Sequence, residues 1–140
     1  MRTSSSIEPR LPQKGDVVEF AFLWSHERDR GSTEASKARR CVVVAVLENG
    51  HVMVSPITSR DPGDDAKVKL AAGAVGLTKP SWIAVQEINV TDWPGHDARH
   101  AFDPKGAWWR HGALSAGKWQ ELADTQLAAI RAGRAQITPR

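Results

Sequence analysis

A mainly-β chain closed by one helix, arranged as a small closed or nearly closed barrel, is the fold class the sequence predicts. Three observations carry it. Apolar residues recur with period two in several short runs. Turn signals separate those runs, Asn49-Gly50 being the strongest. A single stripe of helical period appears, near the C-terminal end.

The elements follow in order. Residues 1–14 are Ser-rich with Pro9 and Pro12 and read as a tail. Gly15 opens a body expected to run over 15–132, and 133–140 is expected to be a second tail. Val18, Phe20, Phe22 and Trp24 alternate with Glu19 and Ala21, the pattern of a half-buried strand. Ser25–Ala38 is charged around Gly31 and reads as a long loop, and loops of that length in small domains usually carry function. Cys41–Leu47 is apolar on both faces, which predicts a central strand or one covered by a partner. After the Asn49-Gly50 turn, Val52 and Val54 continue an inner face as far as Pro56. Arg60–Asp65 is a second loop, Lys67–Leu70 a short strand, and Ala71–Leu77 a short helix ending near Gly76. Trp82–Ile88 predicts one further strand, Trp93-Pro94-Gly95 opens an irregular stretch to about Lys105, and Ala107–His111 predicts a last short strand. Ser115 is a suitable N-cap. Trp119, Leu122, Ala123, Leu127 and Ile130 then form the apolar stripe expected to face the core, with Arg131 and Arg134 at the end where a helix dipole favours cations.

Composition narrows the function classes. The formal net charge is +3, but the segments before Gly15 and after Ile130 carry +2 and +3, so residues 15–130 are net −2. A domain-wide basic face of the kind a general polyanion binder needs is therefore excluded. The local basic cluster is Lys37, Arg39 and Arg40. The single Cys41 cannot form an internal disulfide, and no apolar run reaches the length of a membrane span. Met1–Lys14 has no apolar stretch of the signal-peptide kind. A cytoplasmic protein with no membrane association is expected.

The hairpin turn at Asn49-Gly50 brings the two ends of its strands together. Arg39 and Arg40 are thereby placed near Thr58 and Ser59. A guanidinium fork beside hydroxyls is suited to handling a phosphate.

These residues resemble a known family, the PemK/MazF toxins of type II toxin–antitoxin systems. Gly15-Asp16, Gly31-Ser32 with Glu34 and Arg39, Pro56-Ile57-Thr58-Ser59, Gly76-Leu77 and Gly112–Leu114 follow its pattern over roughly 15–132. A divergent PemK-like branch is more similar still, through Leu23-Trp24, Glu27, Gly31, Arg39-Arg40-Cys41, Pro56-Ile57-Thr58, Ser81-Trp82, Glu87-Ile88-Asn89 and Trp93-Pro94-Gly95. The resemblance implies an SH3-like barrel, a homodimer, a small antitoxin protein as partner, and metal-independent cleavage of single-stranded RNA. It implies no cofactor.

By the same resemblance Arg39 and Thr58 form the active pair. Two departures leave alternatives open. The family's Arg-Pro is Arg39-Arg40 here, so either arginine fits the site. Its Asp-Gln on a later strand is Gln86-Glu87, and those two side chains point to opposite strand faces. Glu34 is a candidate for orienting the arginine or taking a proton, with His26 and Glu87 as the other proton acceptors. Lys37, Arg40, Ser59, His26 and Glu87 are candidates for contacting RNA. His96, His100, His111, Asp97 and Asp103 lack the spacing of a metal site. Trp82, Trp108 and Trp109 read as core or dimer contacts. The alternative function is a non-catalytic module of the same fold that binds gyrase or RNA.

Overall fold

The computed structural model describes residues 11–35, 37–101 and 107–140. Most of the expected N-terminal tail and part of the irregular stretch before Lys105 lie outside them.

Strands β1 (Asp16–Phe20), β2 (Arg39–Val46) and β3 (His51–Thr58) form an antiparallel meander at the centre. Its two faces bury two clusters. Val17, Val42 and Ile57 pack with Val68, Leu70, Ile83, Val85 and Leu122 on one side. Val18, Phe20, Cys41, Val43, Val52 and Val54 pack with Phe22 and Trp109 on the other. The two-sided apolar pattern of β2 is thus the pattern of a strand covered on both faces, as expected. The β2–β3 turn uses Gly50 at φ +86°, a left-handed geometry that glycine adopts without strain, and Asn49 Oδ1 accepts from the His51 N–H at 3.0 Å.

Strand β3 has two different neighbours along its free edge. Residues 51–54 pair with β6 (Glu87–Asp92), whereas Ile57 and Thr58 pair with β5 (Ser81–Ala84). Pro56 lies at the switch, next to where edge pairing changes partner, which is where a residue without an N–H is tolerated. Strand β4 (Lys67–Leu70) extends the β5 side. On β1, the other edge is shared by β7 (Ala98–Arg99) and β8 (Arg110–Ala113). The nine described strands make one continuous curled sheet, small-barrel-like but not closed, with helix α2 (Ala116–Arg131) over one side. The fold class is the one expected.

Several elements differ from expectation. The strand predicted over Trp82–Ile88 is two strands, because Val85-Gln86 turns the chain without a glycine, proline or asparagine to signal it. The Gln86 side chain ties this turn to the β3–β4 loop by accepting from the Ala66 N–H at 2.9 Å. The predicted helix over 71–77 contracts to one 3-10 turn, Ala74–Gly76, with Val75 at φ 43°. The long loop begins with a short helix, α1 (Ser25–Asp29).

Helix α2 starts at Ser115, whose hydroxyl accepts from the Lys118 N–H at 3.2 Å. Its buried face, however, is Leu122, Gln126 and Ala129, while Leu127 and Ile130 are nearly half exposed. A glutamine faces inward because its amide is satisfied there. Its Nε2 donates to Ser55 Oγ at 3.0 Å and to the Val85 carbonyl at 2.9 Å.

The segment 133–140, expected as a tail, contains strand β9 (Gln136–Pro139), parallel to β6. Arg140 explains its order. Its buried guanidinium pairs with Asp97 at 3.0 Å and also donates to Asn89 Oδ1 and to the Ala21 carbonyl. Gln136–Pro139 is four residues long, too short for its alternation to stand out as a strand.

Candidate active site

Register places the proposed pair. Cys41 lies opposite Pro56, and continuing that antiparallel register sets Arg39 opposite Thr58. Strand alternation then separates the two arginines. Arg39 shares a face with Cys41 and Val43, and Arg40 shares one with Val42. Arg40 accordingly turns to the far side, where its Nε donates to the Val75 carbonyl at 3.1 Å.

Arg39 enters a cleft of about 510 Å³ lined also by Trp24, His26, Glu27, Lys37, Thr58, Ser59 and Glu87. Its guanidinium lies 5.2 Å from the centre of the Trp24 ring, a cation–π arrangement that fixes a charge without consuming its donors. The Arg39 Nε is buried and has no hydrogen-bond partner among the described residues. A buried, unpaired, charged donor in a cleft is a place for an anion. Trp24 is itself held edge-on by Phe22, at 5.5 Å, and carries the exposed His26 ring stacked on it at 6.0 Å.

Thr58 sits at the end of β3. Its Oγ1 accepts from the Arg60 N–H at 3.1 Å, which occupies an acceptor site and leaves the hydroxyl proton to be donated elsewhere. Ser59 and Lys37 are exposed at the rim. Glu87 lines the cleft, but both of its carboxylate oxygens are engaged by Ser25, one by the backbone N–H at 2.8 Å and one by the hydroxyl. Glu34 is exposed and is not among the residues lining the cleft, so the structure does not bring it to Arg39 or Thr58.

The wall opposite β3 is built from long-range bonds. Asn89, fully buried, both donates to and accepts from the Leu23 backbone, at 2.8 and 2.9 Å. Arg28 donates to the Ile137 carbonyl and the Thr138 hydroxyl, both at 3.1 Å. The chain carrying Trp24 and His26 is therefore anchored to β6 and β9.

Sequence reasoning missed four contributors. Trp24 was read as one of a strand's alternating apolar residues; its signal is the aromatic directly before a charged loop. Glu27 lines the cleft and caps α1, its Oε1 accepting from the Trp24 N–H at 3.0 Å. Asp61 and Asp65 come from the β3–β4 loop. The Lys67 ammonium, then the Gly63 N–H, hold the Asp61 carboxyl below the usual carboxylate value. Of the histidines weighed for a metal, His111 is committed to Glu19 at 2.6 Å, and Asp103 lies outside the described residues. Trp109 is core as expected, Trp82 is half-buried under Lys69, and Trp108 is exposed beside His100.

No protein-family model matches the sequence, and neither does any curated protein. Solved structures do match. A chain in the crystal structure of MazE-MazF from Deinococcus radiodurans aligns with a TM-score of 0.58 at 16% identity, covering 87% of this chain and 97% of that one. The mainly antiparallel sheet with one helix toward its C-terminal end is a MazF-like fold.

Proposed function

We propose that the chain is a toxin endoribonuclease that cuts single-stranded RNA without a metal and is neutralised by a small antitoxin. The observation that carries this reading is Arg39, a guanidinium stacked on Trp24 with a buried unpaired Nε–H, set across from the Thr58 hydroxyl. In this reaction the ribose 2′-oxygen attacks phosphorus, the 2′-O–P bond forms, and the P–O5′ bond breaks. The products are a 2′,3′-cyclic phosphate and a 5′-hydroxyl. Negative charge on the non-bridging oxygens is met by the Arg39 guanidinium and by the donated Thr58 hydroxyl. The 2′-proton goes to a base and the 5′-oxygen receives one. His26 is the residue for this transfer, since it lines the cleft and no hydrogen bond engages its ring among the described residues. Glu34 drops out of this role and Glu87 serves to hold Ser25.

The likeness of fold to a chain of a MazE-MazF structure supports an antitoxin partner, and the homodimer and a cytoplasmic site of action belong to the same proposal. No described helix is long and apolar enough to cross a membrane.

The test is to incubate purified protein with single-stranded RNA in EDTA beside Arg39→Ala, Thr58→Ala and His26→Ala. Fragments ending in 2′,3′-cyclic phosphate, lost in the first two variants and strongly reduced in the third, are expected. A second reading, a growth-arresting binder of gyrase or RNA without catalysis, draws on the cleft's carboxylates. Three of its four carboxylates, Glu87, Glu27 and Asp61, are each engaged by a donor, and the fourth, Asp65, is exposed. Intact RNA together with growth arrest would decide for that reading.

A further inference from the structure

A second groove, of about 240 Å³, lies beside the first and shares Lys37, Arg39 and Ser59 with it. The two differ in charge. The first is lined by four carboxylates, Glu27, Asp61, Asp65 and Glu87, against Lys37, Arg39 and Arg60. The second is lined by Lys37, Arg39, Arg40 and Lys79 against Glu19 alone, and that carboxylate is met by His111. Arg40 is placed there by its Nε donating to the Val75 carbonyl at 3.1 Å, with one terminal nitrogen 3.5 Å from the Gly76 carbonyl and the other without a partner among the described residues. Lys79 is exposed on the segment leading into β5, and no ion pair engages it among the described residues.

Resting on the RNA reading, we propose that this second groove is a phosphate subsite. It binds the backbone phosphate of the nucleotide next to the cleavage point, with Lys79 and Arg40 as its own ligands and Arg39 as the divide between the two phosphates. The charge contrast supplies the reason. A first cleft with four carboxylates tolerates one phosphate at Arg39 but repels a second, whereas the neighbouring groove offers a preset guanidinium and a lysine. The carboxylate-rich side then faces the ribose and base, whose hydroxyls and amino groups are donors.

The experiment measures binding of a mixed-sequence, uncleavable 2′-O-methyl RNA 12-mer by fluorescence anisotropy over a range of salt. Wild type, Lys79→Ala and Lys118→Ala are compared, with cleavage of ordinary RNA by wild type in parallel. Lys118 lies on α2, paired with Glu121 and outside both grooves, so its removal controls for net charge. Lys79→Ala is expected to bind on the order of fivefold more weakly at low salt and to flatten the log–log salt slope by about 0.7, while Lys118→Ala matches wild type. Equal slopes for Lys79→Ala and wild type, in a protein that cleaves RNA, would overturn the subsite and leave the nuclease standing. A wild type that neither binds nor cleaves would overturn both.

Discussion

Arg39 is a residue whose neighbours make its chemistry specific. A lysine keeps the charge but loses the planar fork and the stack on Trp24. Arg39→Lys should therefore cut RNA cleavage by about 100-fold, near the cost of losing an oriented oxyanion donor, and initial rates on a fluorogenic RNA would read it. That one of the two arginines belongs to the cleft was legible in the sequence; that Arg39 is the one that enters it follows from strand alternation and from the register with Thr58. Glu34 was misplaced because a charged loop carries no periodicity from which a side chain's direction can be read. Cys41 gives a second residue-scale prediction. Burial pushes its thiol well above the ordinary value, with Arg39 opposing and Glu19 adding to the rise. The unfolded thiol therefore loses its proton first as pH rises. The stability Cys41 contributes is full below the ordinary thiol value, about 8.5, and is lost above it at up to roughly 1.4 kcal/mol per pH unit. Urea midpoints at pH 8 and pH 10 should differ less in Cys41→Ala than in the parent.

Among the elements, α2 shows how a polar residue can displace an apolar one from the inner face. Leu122 is fully buried, whereas Leu127 is exposed to nearly half its surface. Leu122→Ala should cost about 2–5 kcal/mol in denaturant unfolding, and Leu127→Ala only about 0.5. Gln126→Ala should cost roughly 1–3 kcal/mol, since it leaves the Ser55 and Val85 oxygens without their donor. Apolar period alone favoured Leu127, because periodicity registers hydrophobicity and not whether a buried amide will find partners on a distant strand. The same limit hid β9. Its pairing with β6 joins residues far apart in the chain, whereas the β2–β3 hairpin announced itself through a local turn. Arg140→Met should cost about 2–4 kcal/mol by leaving the Asp97 carboxylate without its cation.

For the molecule as a whole, electrostatics is local. The body between the basic ends is net acidic, so association with RNA should depend on few contacts. A salt slope no steeper than about −3 is expected, corresponding to some four phosphate-facing cations on a single strand. Titrations from low to moderate salt would measure it. The mainly-β architecture and its one helix were legible because their signals, alternation, a turn and an N-cap, are each confined to a few neighbouring residues. The cleft was legible only in its β2–β3 half. Its other wall depends on Glu87, Asn89 and β9, which hold the chain from Leu23 to Arg28 through bonds spanning 62 to 110 positions. That span has a consequence for the order in which the protein is made. During synthesis β1 and the β2–β3 hairpin emerge from the ribosome first. The strand that pins the Trp24 wall is translated after every other described element, so a nascent chain carries Arg39 and Thr58 long before it owns a finished cleft. On the proposed reading, RNA cleavage is expected only once β9 has paired with β6.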